Sequence, residues 1–343
     1  MKYQNVALHS FDYLEPEEFL TSEDIEEKLS PLYQRLNLPA GRLELMTGIQ
    51  SRGIWPNGTR PSDLSTRSAK KLLAKSGIDK SDIGLLIHAS VCRDFLEPST
   101  ASVVHHNLEL NEDAMIYDLS NACLGVVNAM AMAANMIELG QIKYALIVSG
   151  ENGGPLLSQT LDYLNGDLTL TRKSIKKYIA NLTIGSASVA YLLSHKDLAP
   201  TAPRIIGGAV CTDSSANILC QGDGDTTSLM METDSEELLK HGLELAKKNW
   251  NKTKEVLNWK NSDVDWVIGH QVGTAHERLT MEAMELSEHK TYTTYETLGN
   301  TGSAALPITL AKLVETNKLK KGEKVALLGI GSGLTSIMLG VEW

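Results

Sequence analysis

Short apolar runs rich in β-branched residues recur along this 343-residue chain and end at Gly, Ser or His. Runs of this length are typical of buried strands. They are IGLLIHASV at 83–91, YALIVSG at 144–150, ASVAYLL at 187–193, VDWVIGH at 264–270 and VALLGIG at 325–331. Between them, helical spacing of apolar positions predicts helices over 64–75, 124–139, 236–257 and 304–315. This alternation predicts an α/β architecture with both sheet faces covered.

The pattern also repeats within the chain. Ser-Asp-Ile at 81–83, before one apolar run, corresponds to Ser-Asp-Val at 262–264, before another, 181 residues later. The same offset, carried forward without a gap, places 145–150 on 326–331. Two blocks in one register favour an ancient duplication over the alternative of chance turn chemistry. We therefore predict two similar halves, 1–200 and 201–343, with a polar, partly helical insertion near 151–183 in the first.

The duplication brings different reactive groups to corresponding loops. At the same offset, Cys123 corresponds to Ala304, just after GNTGS, and Ala89 corresponds to His270. Such loops can converge at the junction of the halves, where ligands usually bind in open α/β sheets.

Composition narrows the possible functions. With 42% hydrophobic and 22% charged residues the chain is globular, and its net charge of -10 argues against binding to nucleic acid or an anionic membrane. Its four cysteines form neither a disulfide scaffold nor a CxxC metal pair. The first twenty residues lack the features of a secretory signal, and no apolar stretch has the roughly 18 residues of a membrane span. We expect a cytoplasmic protein.

Cys123 is the candidate nucleophile. A polar turn at 120–121 leads to it at the start of a predicted helix, where the helix dipole favours a thiolate and should lower the thiol pKa. The alternative is a small buried hydrophobe. We assign the remaining cysteines, Cys92, Cys211 and Cys220, to packing.

Two further side chains and one glycine-rich segment carry candidate chemistry. His270 follows a predicted strand, from which an imidazole can reach into a cleft, whereas His276 and the other histidines are assigned no special role. Asn300, in LGNTGSAALP, either caps a turn or donates, with the His270 ring, to an enolate oxygen. The segment GIGSG at 329–333 lacks the Lys of a P-loop, but its backbone N–H groups can form an oxyanion hole with the Cys123 amide.

In this order, NAC at a helix start, GHQVG, GNTGSAALP and GIGSGLT resemble thiolase-fold condensing enzymes of the 3-oxoacyl-ACP synthase III branch. The match spans essentially the whole chain, including TGIQSR at 47–52. The resemblance implies a duplicated five-layered αβαβα thiolase fold, an obligate homodimer, and a catalytic site made by Cys123, His270 and Asn300. It also implies an oxyanion hole at Cys123, Gly331 and Ser332, and neither a metal nor a redox cofactor.

A second resemblance concerns RDFLEPSTAS at 93–102 and LCQGD at 219–223, which are similar to segments of the OleA family, enzymes that join two fatty acyl-CoA molecules head to head. In that family the Glu of this segment reaches into the partner subunit's site as base, which implies that role for Glu97. Condensing two plain thioesters requires a base, because an α-proton must be removed, whereas a malonyl group loses carbon dioxide instead. Between Phe95-Leu96 and Pro98, Glu97 would face an acyl tunnel; the alternative is a solvated loop acid.

One departure concerns the carrier. Synthase III enzymes usually have Trp and Arg just before TGI to bind the adenine of CoA, but here 42–46 reads RLELM. The candidate CoA ligands are Arg42, and Arg172 and Lys173 of a basic helix predicted over TRKSIKKY at 171–178; the alternative for this helix is a solvated face. Whether the donor is acyl-CoA or an acyl carrier protein stays open.

These observations predict a non-decarboxylative Claisen condensation of two fatty acyl-CoA thioesters through an acyl-Cys123 intermediate. The product would be a 2-alkyl-3-ketoacyl compound, for downstream enzymes of long-chain olefin biosynthesis. The alternatives are a decarboxylative synthase III that uses malonyl-ACP, a pyrone- or resorcinol-forming ketosynthase, and a catalytically silent thiolase-fold protein that binds acyl chains.

Overall fold

The computed structural model describes residues 1–222 and 230–343, so the LCQGD segment ends just outside the described residues. The strands are β1 (Val6–Leu14), β2 (Glu18–Thr21), β3 (Ser51–Ile54), β4 (Ile83–Ala89), β5 (Met115–Leu119), β6 (Tyr144–Glu151), β7 (Ala187–His195), β8 (Arg204–Thr212), β9 (Cys220–Gly222), β10 (Met231–Thr233), β11 (Trp266–Gly269), β12 (Lys290–Thr291), β13 (Lys324–Gly331) and β14 (Thr335–Glu342). The α-helices are α1 (Ser22–Lys28), α2 (Ser30–Leu36), α3 (Arg42–Thr47), α4 (Pro61–Ser76), α5 (Thr100–Leu108), α6 (Gly125–Glu138), α7 (Gly154–Gly166), α8 (Ser235–Leu257), α9 (Thr274–Ala283), α10 (Tyr295–Leu298) and α11 (Ala305–Glu315). Among the 3₁₀ helices are Ser174–Thr183 and Gly302–Ala304.

The main sheet repeats one topology twice. Its strand order is β12-β11-β13-β14-β8-β1-β7-β6-β4-β5. In the first half, β1 pairs antiparallel with β7 and β7 with β6, while β6 and β5 both lie parallel to β4. The second half repeats this arrangement: β8 pairs antiparallel with β14 and β14 with β13, while β13 and β12 both lie parallel to β11. The halves meet where Ala7 of β1 opposes Arg204 of β8, and the division of the chain at residue 200 stays a prediction.

Side chains alternate between the two faces of each half-sheet, so both faces are covered. On β6, Ala145 and Ile147 pack into the central core, whereas Leu146 and Val148 pack on the other side. The central core contains the apolar faces of α6 and α11 together with strands of both halves. Helices α4 and α5 cover the outer face of the first half, and α8 and α9 that of the second. The layers are therefore αβαβα, which confirms the predicted fold class.

The predicted helices correspond to α4, α6, α8 and α11, and the five predicted strands are all present. One detail was wrong. The basic segment 171–178 is not one helix: a turn at Thr171, whose hydroxyl accepts a hydrogen bond from the Ser174 amide at 3.2 Å, precedes a 3₁₀ helix that starts at Ser174. Among the described residues, no helix combines the length and apolar character needed to cross a bilayer.

Candidate active site

Cys123 lies on a tight turn between β5 and α6. Ala122 has φ of +46°, a left-handed conformation that is strained for a residue with a side chain. The Ala122 carbonyl accepts a hydrogen bond from the Ser303 hydroxyl at 2.7 Å. Gly125, the first residue of α6, has to be small, because a Cβ there would lie 2.7 Å from Ser303 Oγ. The turn that carries the thiol is therefore fixed against a loop of the second half.

Asn300 lies beside the thiol, and its side chain hydrogen-bonds Cys123. Asn300 Oδ1 accepts a hydrogen bond from the Gly302 amide at 3.1 Å, so Nδ2 is the atom directed at the sulfur. The Asn300 backbone is bonded on both sides: its N–H donates to Thr183 and its carbonyl accepts from Gly185, each at 2.9 Å. Only 9% of Asn300 is exposed. Its amide group is preorganised rather than free to rotate.

His270 is the first residue after β11. Its neighbour Gly269 pairs with Leu328 of the parallel strand β13, so His270 lies near the C-terminal ends of these two strands. Burial and, to a smaller extent, His276 together lower the pKa of His270 to about 3; the two ring centroids are 6.4 Å apart in an edge-to-face arrangement. The imidazole is therefore neutral near pH 7. His276, for which no role was expected from the sequence, lies with its ring against the candidate catalytic histidine.

Gln271 joins the His270 turn to the segment that leads to Asn300. Its side chain is buried; Nε2 donates to Gly269 at 2.9 Å, and Oε1 accepts from the amides of Thr294 and Tyr295 at 2.8 and 3.2 Å. Sequence reasoning missed this contribution, although Gln271 stands in the GHQVG motif.

The end of β13 packs directly against the cysteine turn. A Cβ at Gly331 would lie 3.0 Å from Leu124 Cγ and 3.6 Å from the Cys123 backbone nitrogen. Ser332 follows in the turn to β14. This proximity is compatible with the predicted oxyanion hole, whose donors stay a prediction.

The pKa of Cys123 departs from the sequence expectation, which was a lowered value. It is raised to about 12, with burial as the largest cause; the Glu151 carboxylate and the Cys220 thiol also raise it, while the Asn300 hydrogen bond lowers it. A helix N-terminus stabilises a nearby anion by about 1 to 2 kcal/mol at most. The pKa of Cys123 is nevertheless raised, so burial, its largest cause, outweighs this effect of the helix. The thiol is protonated near pH 7 and needs a base to become a nucleophile.

Glu97 does not lie in an apolar pocket of its own chain. It is exposed on the segment between β4 and α5, next to Phe95 and Leu96, which are 37% and 70% exposed. The apolar surroundings expected from the sequence would have to come from a second subunit. Within one chain, Cys123 and Asn300 are in contact and Gly331 packs against the cysteine turn, while Glu97 is on the surface.

The predicted CoA ligands differ in their surroundings. Arg42 begins α3 and is exposed, near Leu45 and Met46, which are 86% and 50% exposed. Arg172 donates at 2.7 and 2.6 Å to carbonyl oxygens at the C-terminal end of α2, so part of its hydrogen-bonding capacity serves the fold. Lys173 is exposed. Contacts of these three side chains with CoA stay a prediction.

All four cysteines are free, and no group of three or more His, Cys, Asp or Glu suited to a metal occurs within 1–222 and 230–343.

Two family models match the chain: the thiolase N-terminal domain over 44–199 and the 3-oxoacyl-[acyl-carrier-protein (ACP)] synthase III C-terminal domain over 255–343. The chain is 38% identical over 343 residues to an acyl-CoA:acyl-CoA alkyltransferase of Xanthomonas campestris, and 37% identical over 351 residues to that of Shewanella oneidensis; both alignments cover 100% of each protein. A β-ketoacyl-[acyl-carrier-protein] synthase III of Clostridium tetani is 30% identical, over 88% of this chain and 89% of that protein.

Solved structures of Xanthomonas campestris OleA have the same fold. The cerulenin-bound form has a TM-score of 0.95 at 38% identity, covering 100% of this chain and 98% of that one. A Cys-to-Ser variant with bound lauric acid and lauroyl-CoA has a TM-score of 0.94 at 38% identity, covering 99% and 100%. Other structures of that protein carry substitutions of a glutamate, and the same number of residues separates that glutamate from the substituted cysteine as separates Glu97 from Cys123. The chain belongs to the OleA family of the thiolase superfamily.

Proposed function

We propose that this member of the OleA family condenses two fatty acyl-CoA thioesters without decarboxylation to give a 2-alkyl-3-ketoacyl product. The observation that carries the proposal is the position of the Cys123 thiol, beside the Asn300 side chain and on a strained turn that packs against Gly331. Similarity to OleA over the full length of the chain supports the choice of substrate.

The first half-reaction acylates Cys123. The neutral imidazole of His270 accepts the thiol proton as the sulfur attacks the thioester carbonyl carbon. Backbone N–H groups at Cys123 and at Gly331 or Ser332 stabilise the tetrahedral oxyanion. The carbon–sulfur bond to CoA breaks, and the proton passes from His270 to the CoA sulfur.

The second half-reaction forms the carbon–carbon bond. Glu97 of the other subunit removes an α-proton from a second acyl-CoA, and the enolate oxygen accepts hydrogen bonds from Asn300 Nδ2 and a ring N–H of His270. The α-carbon attacks the acyl-Cys123 carbonyl, the bond from that carbon to the Cys123 sulfur breaks, and the proton that Glu97 removed returns the thiolate to the thiol. Only this step requires Glu97, because acylation involves no α-proton.

A homodimer supplies the apolar environment that Glu97 lacks in the single chain. Strand β5 is the edge of the sheet, and Tyr117 on it is exposed at 42%, as are Phe95 and Leu96 of the Glu97 segment at 37% and 70%. An open edge strand with apolar side chains is suited to cover by another chain. A second copy placed there would bury Leu96 and desolvate Glu97.

CoA rather than an acyl carrier protein is the donor, the enzyme needs no resident cofactor, and it acts in the cytoplasm, where olefin-forming enzymes would take the product. Arg42 and Lys173 are the cations proposed for the CoA phosphates; Arg172 contributes less, because two of its donors already bind carbonyl oxygens.

Incubation with lauroyl-CoA tests the proposal. Intact-mass measurement should show one lauroyl group on the protein, located to Cys123 by peptide mapping and absent from Cys123→Ala. Product analysis should show the 2-alkyl-3-ketoacyl compound or the ketone from its hydrolysis and decarboxylation. Turnover only with malonyl-ACP would indicate a decarboxylative synthase III, a cyclic pyrone would indicate the second alternative, and no adduct with any acyl-CoA would indicate a silent acyl-binding protein.

A further inference from the structure

Glu151, the last residue of β6, is a buried carboxylate that the proposed reaction does not use. It is 3% exposed, and its two oxygens accept three backbone N–H groups from different parts of the chain. Oε1 accepts from Val91 and Ser303, each at 2.9 Å, and Oε2 accepts from Cys92 at 3.2 Å. Val91 and Cys92 begin the segment that leads to Glu97, while Ser303 follows the Asn300 loop.

The cysteine turn joins the same cluster through Ser303. The Ser303 backbone donates to Glu151 at 2.9 Å, and its hydroxyl donates to the Ala122 carbonyl at 2.7 Å. Gly302 has φ of +58°, and a Cβ there would lie 2.9 Å from Glu151 Oε1. The segments that carry Glu97, Cys123 and Asn300 are therefore all connected to one carboxylate, directly or through a single residue.

The carboxylate is itself held in place, and the segment beyond it is anchored again. The Trp55 indole N–H donates to the Glu151 backbone carbonyl at 3.1 Å. Three residues before Glu97, the Asp94 carboxylate accepts from the Ser62 amide at 2.9 Å, at the start of α4. The segment that carries Glu97 is therefore held at two points, by Glu151 at Val91 and Cys92 and by the Ser62 amide at Asp94.

We propose that Glu151 is a positioning residue that keeps the Glu97 segment in register with the Cys123 turn and the Asn300 loop. This inference rests on the proposed function only in taking Glu97 as the base. A carboxylate suits the position because the three donors require acceptors alone. The amide of Gln would place an N–H₂ group against one of these N–H donors and leave that donor unsatisfied.

The charge of Glu151 also acts on the groups around it. Burial is the largest cause of the raised pKa of Cys123; the charge of Glu151 and the Cys220 thiol act in the same direction, and the Asn300 hydrogen bond opposes them. Burial is the main cause of the raised pKa of Cys92, and the charge of Glu151 contributes to it. Burial lowers the pKa of His88, and the charge of Glu151 opposes that effect. Replacing Glu151 by a neutral side chain should therefore lower the pKa of Cys123, which a purely structural residue would not do.

The test compares Glu151→Gln, Glu151→Asp and a control, Asp12→Asn. Asp12, on β1, is a carboxylate of similar burial, with 4% of the residue exposed. It pairs with Lys71 at 2.7 Å and with Lys75 at 2.5 Å, and these partners are not residues of the site. Three quantities are measured: condensation turnover with lauroyl-CoA, lauroylation of Cys123, and the iodoacetamide alkylation rate of Cys123 against pH, located by peptide mapping.

We expect Glu151→Gln to lower condensation by about tenfold or more, because small misplacements of catalytic groups are costly, with a smaller effect on lauroylation. Its Cys123 alkylation rate, at a fixed pH below the thiol pKa, should rise by about threefold or more. Glu151→Asp retains the charge, so its alkylation profile should match the wild type while condensation still falls. Asp12→Asn should lower the unfolding temperature and leave condensation and alkylation unchanged.

The proposal is overturned if Glu151→Gln condenses lauroyl-CoA at the wild-type rate, or if the pH profile of its Cys123 alkylation does not shift. If Glu151→Gln does not fold, wild-type condensation by Glu151→Asp overturns it. A wild-type enzyme that forms no condensation product with any acyl-CoA contradicts the proposed function instead, whereas the alkylation profile still tests the effect of Glu151 on Cys123.

Discussion

Two inactive variants should restore each other, because each proposed site takes Cys123 from one subunit and Glu97 from its partner. Removing a general base costs about 10²- to 10⁴-fold in rate, and removing the nucleophile abolishes the acyl-enzyme. Glu97 is exposed in its own chain, and the partner subunit would only desolvate its carboxylate, so Glu97→Ala should lower the free energy of unfolding by no more than about 0.5 kcal/mol. At roughly 1.4 kcal/mol per tenfold change in rate, unfolding cannot account for a loss of that size.

The magnitude of the rescue follows from counting sites in the dimer. A mixed dimer of Cys123→Ala and Glu97→Ala contains one complete site and one site that lacks both groups. Purified through two different affinity tags, such dimers should have about half the wild-type activity per dimer, while each parent homodimer is inactive. The assay is condensation turnover with lauroyl-CoA, with lauroylation of Cys123 measured in parallel and expected to survive in Glu97→Ala.

The reciprocal pairing is the control. A dimer of the wild-type chain with the double variant Cys123→Ala/Glu97→Ala contains no complete site if Glu97 acts on its partner, but keeps one if Glu97 acts within its own chain. The cross-subunit arrangement is refuted if dimers of Cys123→Ala with Glu97→Ala are inactive while dimers of the wild-type chain with the double variant keep about half the activity. Glu112→Gln, which removes another exposed acid, should have wild-type activity and controls for the loss of surface charge.

The remaining predictions concern the site and its supports. Asn300→Ala should lower condensation about 10²-fold, as expected for one lost oxyanion donor, while mass spectrometry still detects acyl-Cys123. Gly302→Ala should lower the free energy of unfolding, measured by urea denaturation, more than Gly140→Ala does, since both have positive φ but only the Cβ at 302 would meet the Glu151 carboxylate; equal losses would contradict the contact. The lowered pKa values of His270 and His276, about 3 and 4, mean that the unfolded state binds more protons between about pH 4 and 6.5. Stability should therefore fall on acidification from pH 7.5 to 5 by about 2 kcal/mol for each histidine, and His270→Asn should remove its share.

Much of the fold was predictable because its signals are local. The apolar run at 83–91 and the Ser-Asp turn before it predict a buried strand from the residue types alone. The 181-residue offset predicts the duplication without any knowledge of contacts. The candidate Cys123, His270 and Asn300 were found for a related reason. Each lies at the end of a periodic element, and motif order restricts what such ends can do.

Other properties depend on residues far apart in the chain. The pKa of Cys123 was expected to be lowered from its helix-start position, yet burial raises it, because packing of the turn against the Ser303 and Gly331 loops removes it from water. The roles of His276 and Glu151 could not be predicted from the sequence for the same reason. One gains its importance from a ring 6.4 Å away, and the other from three amide groups on two distant loops.

The chain alone thus determined its strands, helices, duplication and family, since backbone periodicity and motif order are written in consecutive residues. The protonation of the thiol, the exposure of Glu97 and the connection of three loops through Glu151 were decided only by the tertiary structure. Desolvation and hydrogen bonding depend on which atoms are neighbours in space, and distances along the chain do not specify that.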